Sequence, residues 1–266
     1  MPFFAFSEQP RIHYQVEGEG SNLVLLHGFG EDHRIWQPLV DSLDGYRKIL
    51  IDLPAFGASD RLSEPSIKGF ALAVQGVLDH LGINSFHLMG HSMGGYTSLA
   101  LLEENPEQVL SLGLIHSHPY ADTEEKKRSR AKSMEFIEKN GPTPYLKQLY
   151  TALFPKAYHQ QNPNLISDLI ERALPWDTAP ILDGLDAMRK RPDRSQVIQD
   201  FQRPVLFLSG DLDVVVPEDY RLKQPLLAQA GSTHQLSNIG HMSMIEDPAL
   251  FVHIVRDFLQ TAATLL

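Results

Sequence analysis

The chain has 266 residues, 42% of them hydrophobic and 21% charged, a composition typical of a globular protein and not of a disordered one. That length suits one large domain or one core that carries a sizeable insertion. The formal net charge of −10 disfavours a nucleic acid or an anionic membrane as a partner, and the absence of cysteine excludes disulfides, thiolate nucleophiles and cysteine metal sites.

The N-terminal residues predict a strand pair and not a targeting segment. They lack the basic region that opens a signal peptide. No apolar run in the chain approaches the roughly 18 residues of a membrane span. We therefore expect a soluble cytoplasmic protein whose residues 3–6 and 11–16 form a hairpin with its turn at 7–10.

Short runs of apolar, β-branched or aromatic residues predict six further strands. Several are nearly continuous hydrophobic runs, as in strands that are covered on both faces. The runs are 23–26, 48–53, 86–89, 109–115, 205–208 and 233–236. They alternate with helical patterns, and this alternation predicts an α/β fold with a mostly parallel, doubly wound sheet.

Three helical patterns stand out. Apolar residues recur at helical spacing in 70–81. A second helix is expected to begin after Ser92 and to stop at Asn105, which precedes a proline. In the last helix, Asp247 is a natural N-cap and Pro248 takes the first helical position.

The alternation of strands and helices fails in residues 119–203. This segment is rich in proline and shows no strand pattern. Because it is inserted between two predicted strands, we expect it to form a helical lid over one edge of the sheet. The predicted organisation is a core of residues 1–118 and 204–266 with the 119–203 segment as a cap.

Residues 90–95, Gly-His-Ser-Met-Gly-Gly, contain the pattern G-x-S-x-G between a predicted strand and a predicted helix. Small residues are needed on both sides of the serine because the turn is too sharp for larger side chains. Ser92 is then expected to be strained, with its hydroxyl exposed above the sheet. The alternative is a glycine-rich turn with an incidental serine.

A serine hydroxyl is a weak nucleophile, so a base must lie within hydrogen-bond reach, and a third group must fix the tautomer of that base. His241 lies in a loop between the last predicted strand and the final helix, a location that suits the base. His253 falls on the polar side of the last helix, and His91 is too close to Ser92 to turn back onto it. A structural loop histidine is the alternative for His241.

Two aspartates are candidates for the third group. Asp211 and Asp213 follow the predicted strand at 205–208, at the sheet edge where open α/β folds build their sites. Asp211 could cap or brace the turn instead. Asp122, after the preceding strand, is a remoter candidate.

The residues after the first parallel strand can supply donors for an oxyanion. The loop that begins at His27 turns at Gly28, where backbone amides become available. We expect the oxyanion hole to consist of the backbone N–H groups of Phe29 and Met93, the residue after the nucleophile. His27 is expected to brace this loop.

These segments together resemble the α/β-hydrolase fold family, in the branch that contains small serine esterases, cofactor-free haloperoxidases and enol-lactonases. The matching segments are HGFG at 27–30, DLPAFGASD at 52–60, GHSMGG at 90–95, GDLDVVVP at 210–217 and GHMSMIEDP at 240–248. The resemblance implies that Asp213 and not Asp211 is the acid. Ala55 stands where the family's turn usually has glycine, a departure that concerns structure and not chemistry.

The resemblance also implies acyl transfer through a covalent intermediate. His241 would take the proton of Ser92, which attacks an ester-like carbonyl of a small-molecule substrate. No metal or organic cofactor is expected. Serine at the nucleophile position excludes the family's haloalkane dehalogenases and epoxide hydrolases, which use aspartate. Lactonases, thioesterases and C–C bond hydrolases keep the serine and stay as alternatives, and a small-molecule receptor is a remoter one.

The choice of substrate is expected to reside in the lid. Aromatic and histidine side chains in or beside it are candidates for the pocket wall, because that segment should cover Ser92. The alternative is that most belong to the lid's own core. The candidates, which also include one leucine, are His116, His118, Tyr120, Phe136, Tyr145, Leu149, Phe154 and Trp176. The histidines show no metal-ligand spacing, so no metal is predicted, and the sequence leaves the oligomeric state open.

Overall fold

The structure is a computed structural model that describes residues 3–5, 10–173 and 177–265. Its strands are β1 (Phe3–Ala5), β2 (Arg11–Glu17), β3 (Ser21–Leu26), β4 (Tyr46–Ile51), β5 (Phe86–His91), β6 (Val109–Ile115), β7 (Val205–Gly210) and β8 (Gly231–Leu236). Its α-helices are α1 (Gln37–Ser42), α2 (Ile67–His80), α3 (Met93–Glu104), α4 (Glu124–Asn140), α5 (Pro142–Leu153), α6 (Lys156–Gln161), α7 (Leu165–Ala173), α8 (Thr178–Lys190), α9 (Ser195–Asp200), α10 (Glu218–Lys223), α11 (Ser243–Glu246) and α12 (Pro248–Thr264).

The strands form one sheet in the order β1-β2-β4-β3-β5-β6-β7-β8. β1 and β2 are antiparallel to their neighbours, and every pairing from β4 to β8 is parallel. The predicted mostly parallel, doubly wound sheet is therefore confirmed. In such a sheet the carboxyl ends of the parallel strands share one edge, where sites are built.

The register of the central strands brings their C-terminal ends level with one another. Leu26 at the end of β3 pairs with Gly90 near the end of β5. Ile115 at the end of β6 pairs with His91 on one side and with Leu208 on the other. The loops that follow β3, β5, β6 and β7 therefore meet at a single edge.

Helices cover both faces of the sheet, so its central strands are buried. Every residue of β5 and β7 is buried, as the continuous hydrophobic runs predicted. Leu25 in β3 is 0% exposed, and burying one such side chain stabilises the fold by about 1.5–3 kcal/mol. A rigid core of this kind fixes the positions of the loops at its edge.

The predicted helix boundaries hold where a cap was recognised. Asp247 accepts a hydrogen bond from the Leu250 N–H at the start of α12, as an N-cap does. Ser66 caps α2 in the same way, so that helix begins at Ile67, three residues before the periodic pattern. Apolar periodicity alone did not indicate the first turn of α2, because Lys68 and Gly69 interrupt it.

The 119–203 segment leaves the sheet after β6 and returns at β7, which is the next strand in the sheet. Its described residues form helices α4 to α9 and contain no strand, in agreement with the sequence. No helix within the described residues is long and apolar enough to cross a membrane. Trp176 and residues 7–9 of the turn predicted at 7–10 lie outside the described residues.

Ala55 adopts the backbone conformation of the glycine that it replaces. Its φ of 78° lies in the left-handed region, which costs a residue with a Cβ about 1–2 kcal/mol. The turn nevertheless keeps its hydrogen bond from the Ala55 N–H to the Asp60 carbonyl at 3.0 Å. The departure from the family's pattern is therefore a local strain.

Candidate active site

Ser92 occupies the sharp turn between β5 and α3. Its backbone has φ 49° and ψ −114°, a strained conformation for a residue with a side chain. The Ser92 N–H donates to the Ile115 carbonyl at 2.9 Å. The Ser92 carbonyl accepts from the Gly95 N–H at 2.9 Å and from Ser117 Oγ at 2.7 Å. These bonds hold the strained turn that the sequence pattern predicted.

Two glycines make room for this turn. A Cβ atom on Gly90 would lie 2.3 Å from the Gly94 carbonyl oxygen, and one on Gly94 would lie 2.2 Å from the Leu26 carbonyl oxygen. In both cases the obstacle is backbone, which cannot rotate away as a side chain can. The start of α3 therefore packs directly on the end of β3, and only glycine permits that approach.

His241, in the loop between β8 and α11, is hydrogen-bonded to Asp213. The distance from His241 Nδ1 to Asp213 Oδ2 is 2.8 Å, and both side chains are buried. A carboxylate oxygen only accepts hydrogen bonds, so Nδ1 carries the proton of the neutral ring. The lone pair of His241 is therefore on Nε2, as a general base next to a serine requires.

Asp213 accepts four hydrogen bonds. Its Oδ1 accepts from the backbone N–H groups of Val215 at 2.8 Å and Val216 at 3.1 Å. Its Oδ2 accepts from His241 and, at 3.2 Å, from Nδ1 of His116. Burial alone would raise the pKa of Asp213, but the charge and hydrogen bonds of the two imidazoles hold that pKa far below its usual range. Asp213 is therefore ionised at neutral pH.

His116 contacts the carboxylate of Asp213, a role that the sequence did not indicate. Its Nε2 accepts from the Ser243 backbone N–H at 3.4 Å and lies 2.9 Å from Ser243 Oγ. Burial lowers the pKa of His116 to about 4, so the ring is neutral at pH 7, with its proton on Nδ1. His116 directly follows β6, and only the pairing of β6 with β7 brings it to Asp213.

His91 links the Ser92 turn to the His241 loop. His91 Nε2 donates to the His241 carbonyl oxygen at 2.9 Å, and the two imidazole centroids are 4.9 Å apart. Within the described residues no hydrogen bond joins Ser92 Oγ to His241. Such contacts often tighten only when substrate binds. The structure thus brings Asp213 and His241 together, and His91 connects the turn of Ser92 to the loop of His241.

Glu31 and His91 form a buried ion pair that the sequence patterns did not reveal. His91 Nδ1 lies 2.9 Å from Glu31 Oε2, and its Nε2 donates to a backbone carbonyl. Because both partners only accept, both ring nitrogens are protonated. Burial opposes this charge, but the Glu31 carboxylate outweighs burial and raises the pKa of His91. Glu31 Oε2 also accepts from the Gly28 N–H at 2.7 Å, so the pair connects three loops of the site.

Glu31→Ala is expected to lower the free energy of unfolding by about 3–5 kcal/mol, the usual cost of removing one partner from a buried ion pair. The substitution leaves the Gly28 N–H and the His91 imidazolium without their acceptor. Urea unfolding followed by circular dichroism measures this cost. Glu19→Ala, at an exposed position, is the control and is expected to change stability by less than about 0.5 kcal/mol.

The cost of Glu31→Ala also depends on pH in a defined direction. Since the pKa of His91 is raised, its contribution is complete below about pH 6.5 and is lost as the pH rises through its folded-state pKa. The pKa of Glu31 is lowered, because the charge of His91 and the hydrogen bonds from His91 and Gly28 outweigh burial. The stability that Glu31 contributes is therefore lost only as the pH falls through its folded-state pKa. A cost that stays constant from mildly acidic to alkaline pH would contradict the charged pair.

The backbone donors predicted for an oxyanion lie in two adjacent turns. Met93 is the first residue of α3, so its N–H has no carbonyl partner in that helix. The Phe29 N–H donates to no backbone carbonyl among the described residues. The two turns are close, because a Cβ atom on Gly28 would lie 2.7 Å from His91 Nδ1. Both N–H groups are therefore available at the edge where Ser92 lies.

One of the predicted pocket-wall residues lines a cavity of about 260 Å³ between the start of α4, α3 and the loop after Asp213. That residue is His118, and Tyr120 stacks on it with a centroid distance of 5.9 Å. Phe136 lies on α4, is 36% exposed and does not line this cavity. Trp176 lies outside the described residues.

The residues that competed with the predicted triad have other surroundings. Asp211 is exposed at the end of β7. Asp122 accepts from Arg130 Nε at 2.6 Å and from Arg191 at 2.7 Å, so its carboxylate is occupied. His27 Nε2 accepts a backbone N–H at 2.9 Å, and this bond braces its loop as expected.

Two clusters within the described residues hold ligand-type atoms near one another, namely His13, His33 and Asp52, and His116, Asp213 and His241. In the first cluster, Asp52 accepts from His13 Nδ1 at 2.7 Å and from His33 Nδ1 at 2.8 Å. A metal ion in either cluster would have to displace these imidazole protons. That the activity needs no metal stays a prediction.

Comparison with known proteins identifies the same fold. A family model described as alpha/beta hydrolase fold matches residues 22–140. The chain is 28% identical to a 2-hydroxy-6-oxononadienedioate/2-hydroxy-6-oxononatrienedioate hydrolase of Burkholderia vietnamiensis, over 94% of this chain and 91% of that protein. It is 26% identical to 3-oxoadipate enol-lactonase 1 of Acinetobacter baylyi, over 90% of this chain and 88% of that protein.

The likeness extends to solved structures. The enol-lactonase from Burkholderia xenovorans LB400 matches with a TM-score of 0.89 at 22% identity, and the match covers 97% of this chain and 100% of that one. At this identity the likeness concerns the fold alone. The fold that the sequence motifs predicted is therefore confirmed.

Proposed function

The chain belongs to the α/β-hydrolase fold family and is a hydrolase, and on that premise we propose that it cleaves an ester-like bond of a small molecule. In this proposal Ser92 is the nucleophile, His241 the general base and Asp213 the acid that orients it. The product of the first step is an acyl-enzyme on Ser92.

One observation carries the proposal. The imidazole of His241 has its proton held on Nδ1 by a buried, ionised Asp213 at 2.8 Å. In that tautomer Nε2 carries the lone pair and can accept a proton. The strained Ser92, whose hydroxyl can supply one, lies beside the same loop. A structural loop histidine would not require a buried carboxylate with four hydrogen bonds.

The proposed reaction has two halves. Ser92 Oγ attacks the carbonyl carbon while its proton moves to His241 Nε2, and the alcohol leaves with that proton. A water molecule then attacks the acyl-enzyme with His241 again as base, which releases the acid and restores Ser92. The N–H groups of Phe29 and Met93 are the proposed donors to the oxyanion in both halves, each worth roughly 2.7–4 kcal/mol.

The 119–203 segment is proposed to form the lid over this site. Helix α5 lies near the histidine loop, because the His241 N–H donates to the Leu153 carbonyl at 2.8 Å. Tyr150 on the same helix donates to the Gly30 carbonyl at 2.6 Å, in the loop of the proposed oxyanion donor. These contacts support a cap that packs on two of the reactive loops.

A lactone, a thioester or a C–C bond is the second candidate for the bond that is cleaved. The relative from Acinetobacter baylyi is named as an enol-lactonase, and the one from Burkholderia vietnamiensis as a hydrolase of hydroxy-oxo-dienedioates. The proposed serine chemistry serves each of these bonds. Turnover measurements with one substrate of each class are needed to distinguish these bonds.

Covalent labelling tests the proposal. A fluorophosphonate is expected to form one adduct, which mass spectrometry should locate at Ser92. In parallel, turnover is compared for a short p-nitrophenyl ester, a lactone, a thioester and a 1,5-diketone of similar size. Ester turnover with the adduct at Ser92 supports the proposal. An adduct elsewhere would overturn the assignment of the nucleophile, and turnover of the diketone alone would replace the ester bond by a C–C bond.

A further inference from the structure

The cavity of about 260 Å³ is lined in part by residues that follow two members of the proposed triad in the chain. Tyr96, four residues after Ser92 on α3, forms one wall, and Val215, two residues after Asp213, forms another. The opposite side consists of the first turns of α4. Four helical residues span about 6 Å, so the Tyr96 wall of the cavity stands on the same end of α3 as Ser92.

The ionisable groups at and behind the α4 side of the cavity carry a net positive charge. Asp122 is paired with both Arg130 and Arg191, so these three groups together leave one positive charge. Lys126 adds a second, because it has no carboxylate within 4 Å among the described residues. Glu125 also lines the cavity and, like Lys126, is exposed at the rim, so its carboxylate offsets one of these two positive charges and leaves a net charge of one.

Neighbouring groups respond to this charge. Burial, and then repulsion by Arg130, lowers the pKa of Lys126. Burial, and then the charge of Arg191, lowers the pKa of His118 well below its usual value. Besides burial, both groups face the positive charges of Arg130 and Arg191 against the single negative charge of Asp122. This local field opposes the net charge of −10 of the whole chain.

The other walls are aromatic and apolar. The Tyr96 hydroxyl is 3.1 Å from His118 Nε2, and the His118 ring meets that of Tyr220 with a centroid distance of 4.9 Å. Arg191 lies 3.9 Å from the centre of the Tyr96 ring, and Val215 adds an apolar surface. Such walls suit the carbon atoms of an organic anion better than a bare inorganic ion.

We propose that this cavity binds a carboxylate group of the substrate through Lys126 and Arg130. The proposal rests on the proposed function, because it assigns the carboxylate to the molecule whose bond Ser92 attacks. Only Nε of the Arg130 guanidinium is hydrogen-bonded among the described residues, which leaves its terminal nitrogens for a ligand. The planar guanidinium matches the geometry of a carboxylate, and Lys126 supplies a second donor.

Two p-nitrophenyl esters of equal chain length test this assignment: the hemiglutarate, which carries a carboxylate, and the neutral pentanoate. The wild type is expected to prefer the hemiglutarate in kcat/KM. Lys126→Gln is expected to reduce that preference at least about tenfold, through KM, as for the loss of one hydrogen bond to a charged group. Lys132→Gln removes the same charge from an exposed α4 position that does not line the cavity, and should keep the preference.

Binding of glutarate, which has no bond to hydrolyse, separates this proposal from the proposed function. Calorimetry is expected to show binding to the wild type and at least about tenfold weaker binding to Lys126→Gln. Suppose that both esters are hydrolysed, that glutarate does not bind, and that Lys126→Gln keeps the preference for the hemiglutarate. The proposed carboxylate site is then overturned, while the proposed ester hydrolysis is still supported. If glutarate binding depends on Lys126 but no ester is turned over, the proposed carboxylate site is supported and the proposed ester hydrolysis is rejected. If inorganic phosphate binds the wild type as tightly as glutarate does, the proposal that the site is built for an organic carboxylate is overturned.

Discussion

Ser92→Ala is expected to reduce ester turnover by about 10⁶-fold, the loss seen when a serine nucleophile is removed from such a triad. The residual rate would come from substrate binding and the oxyanion donors. The fold should persist, because the turn is held by backbone bonds of Ser92 to Ile115 and Gly95 and not by the Ser92 hydroxyl. Turnover of a p-nitrophenyl ester, fluorophosphonate labelling and urea unfolding measure the three expectations.

Ser98→Ala is the matched control for this substitution. Ser98 lies on the same helix, α3, and its hydroxyl donates to the Gly94 carbonyl at 2.8 Å. Losing that bond is expected to cost about 1 kcal/mol of stability and to leave turnover within a few-fold of wild type. Undiminished labelling of Ser92→Ala would mean that another side chain is the nucleophile, and the proposed function would then fail.

Features that depend on residues close together in the sequence could be predicted. The parallel strands β3 to β7 contain short apolar runs, and the turn at Ser92 needs glycines at positions 90 and 94 that the pattern G-x-S-x-G makes visible. The N-cap at Asp247 is likewise a local signal. Each of these features depends on residues within one turn or one strand, so no knowledge of distant contacts was needed.

Features that depend on which strands are neighbours could not be predicted. His116 meets Asp213 only because β6 and β7 pair across the 119–203 segment. Glu31 meets His91 because β3 lies beside β5, and nothing in the residues around Glu31 indicates a buried carboxylate. A buried charge is predictable only with its partner, and here the partner is 60 residues away.

The cavity on α4 shows a related limit. A charged run such as 124–130 usually forms a solvated helix face, and Lys127 does pair with Glu124 at the surface. Yet Arg130 on the same helix is mostly buried and bound to Asp122. The direction of each side chain depends on how α4 packs over the loop after β6, which the spacing of charges along one helix does not determine.

Asp213→Asn is expected to lower turnover about 10⁴-fold. The Val215 and Val216 N–H groups need an acceptor, so the asparagine must keep its carbonyl oxygen toward them. Its NH₂ group then faces His241 Nδ1, where a donor requires an acceptor. The proton of His241 must move to Nε2, and a protonated Nε2 cannot accept the proton of Ser92.

The control for this variant is Asp211→Asn, at the exposed position two residues earlier. Its side chain makes no hydrogen bond to His241 among the described residues, so turnover should stay within a few-fold of wild type. A loss below tenfold for Asp213→Asn, or a large loss for Asp211→Asn, would contradict the assignment of Asp213 as the acid.

The contact with His116 is expected to make Asp213→Asn lower the stability of the fold as well as the turnover. In the wild type its Nδ1 proton points at Asp213, and its Nε2 accepts from the Ser243 N–H. The NH₂ group of an asparagine would oppose that Nδ1 proton. Moving the proton to Nε2 would give up the bond from the Ser243 N–H and leave Ser243 Oγ, at 2.9 Å, as the acceptor for Nε2. Asp213→Asn is therefore expected to reduce the free energy of unfolding by about 1–3 kcal/mol, the cost of one unsatisfied buried donor. Urea unfolding checks it, and an unchanged stability would mean that the hydrogen bond from His116 to Asp213 does not stabilise the fold.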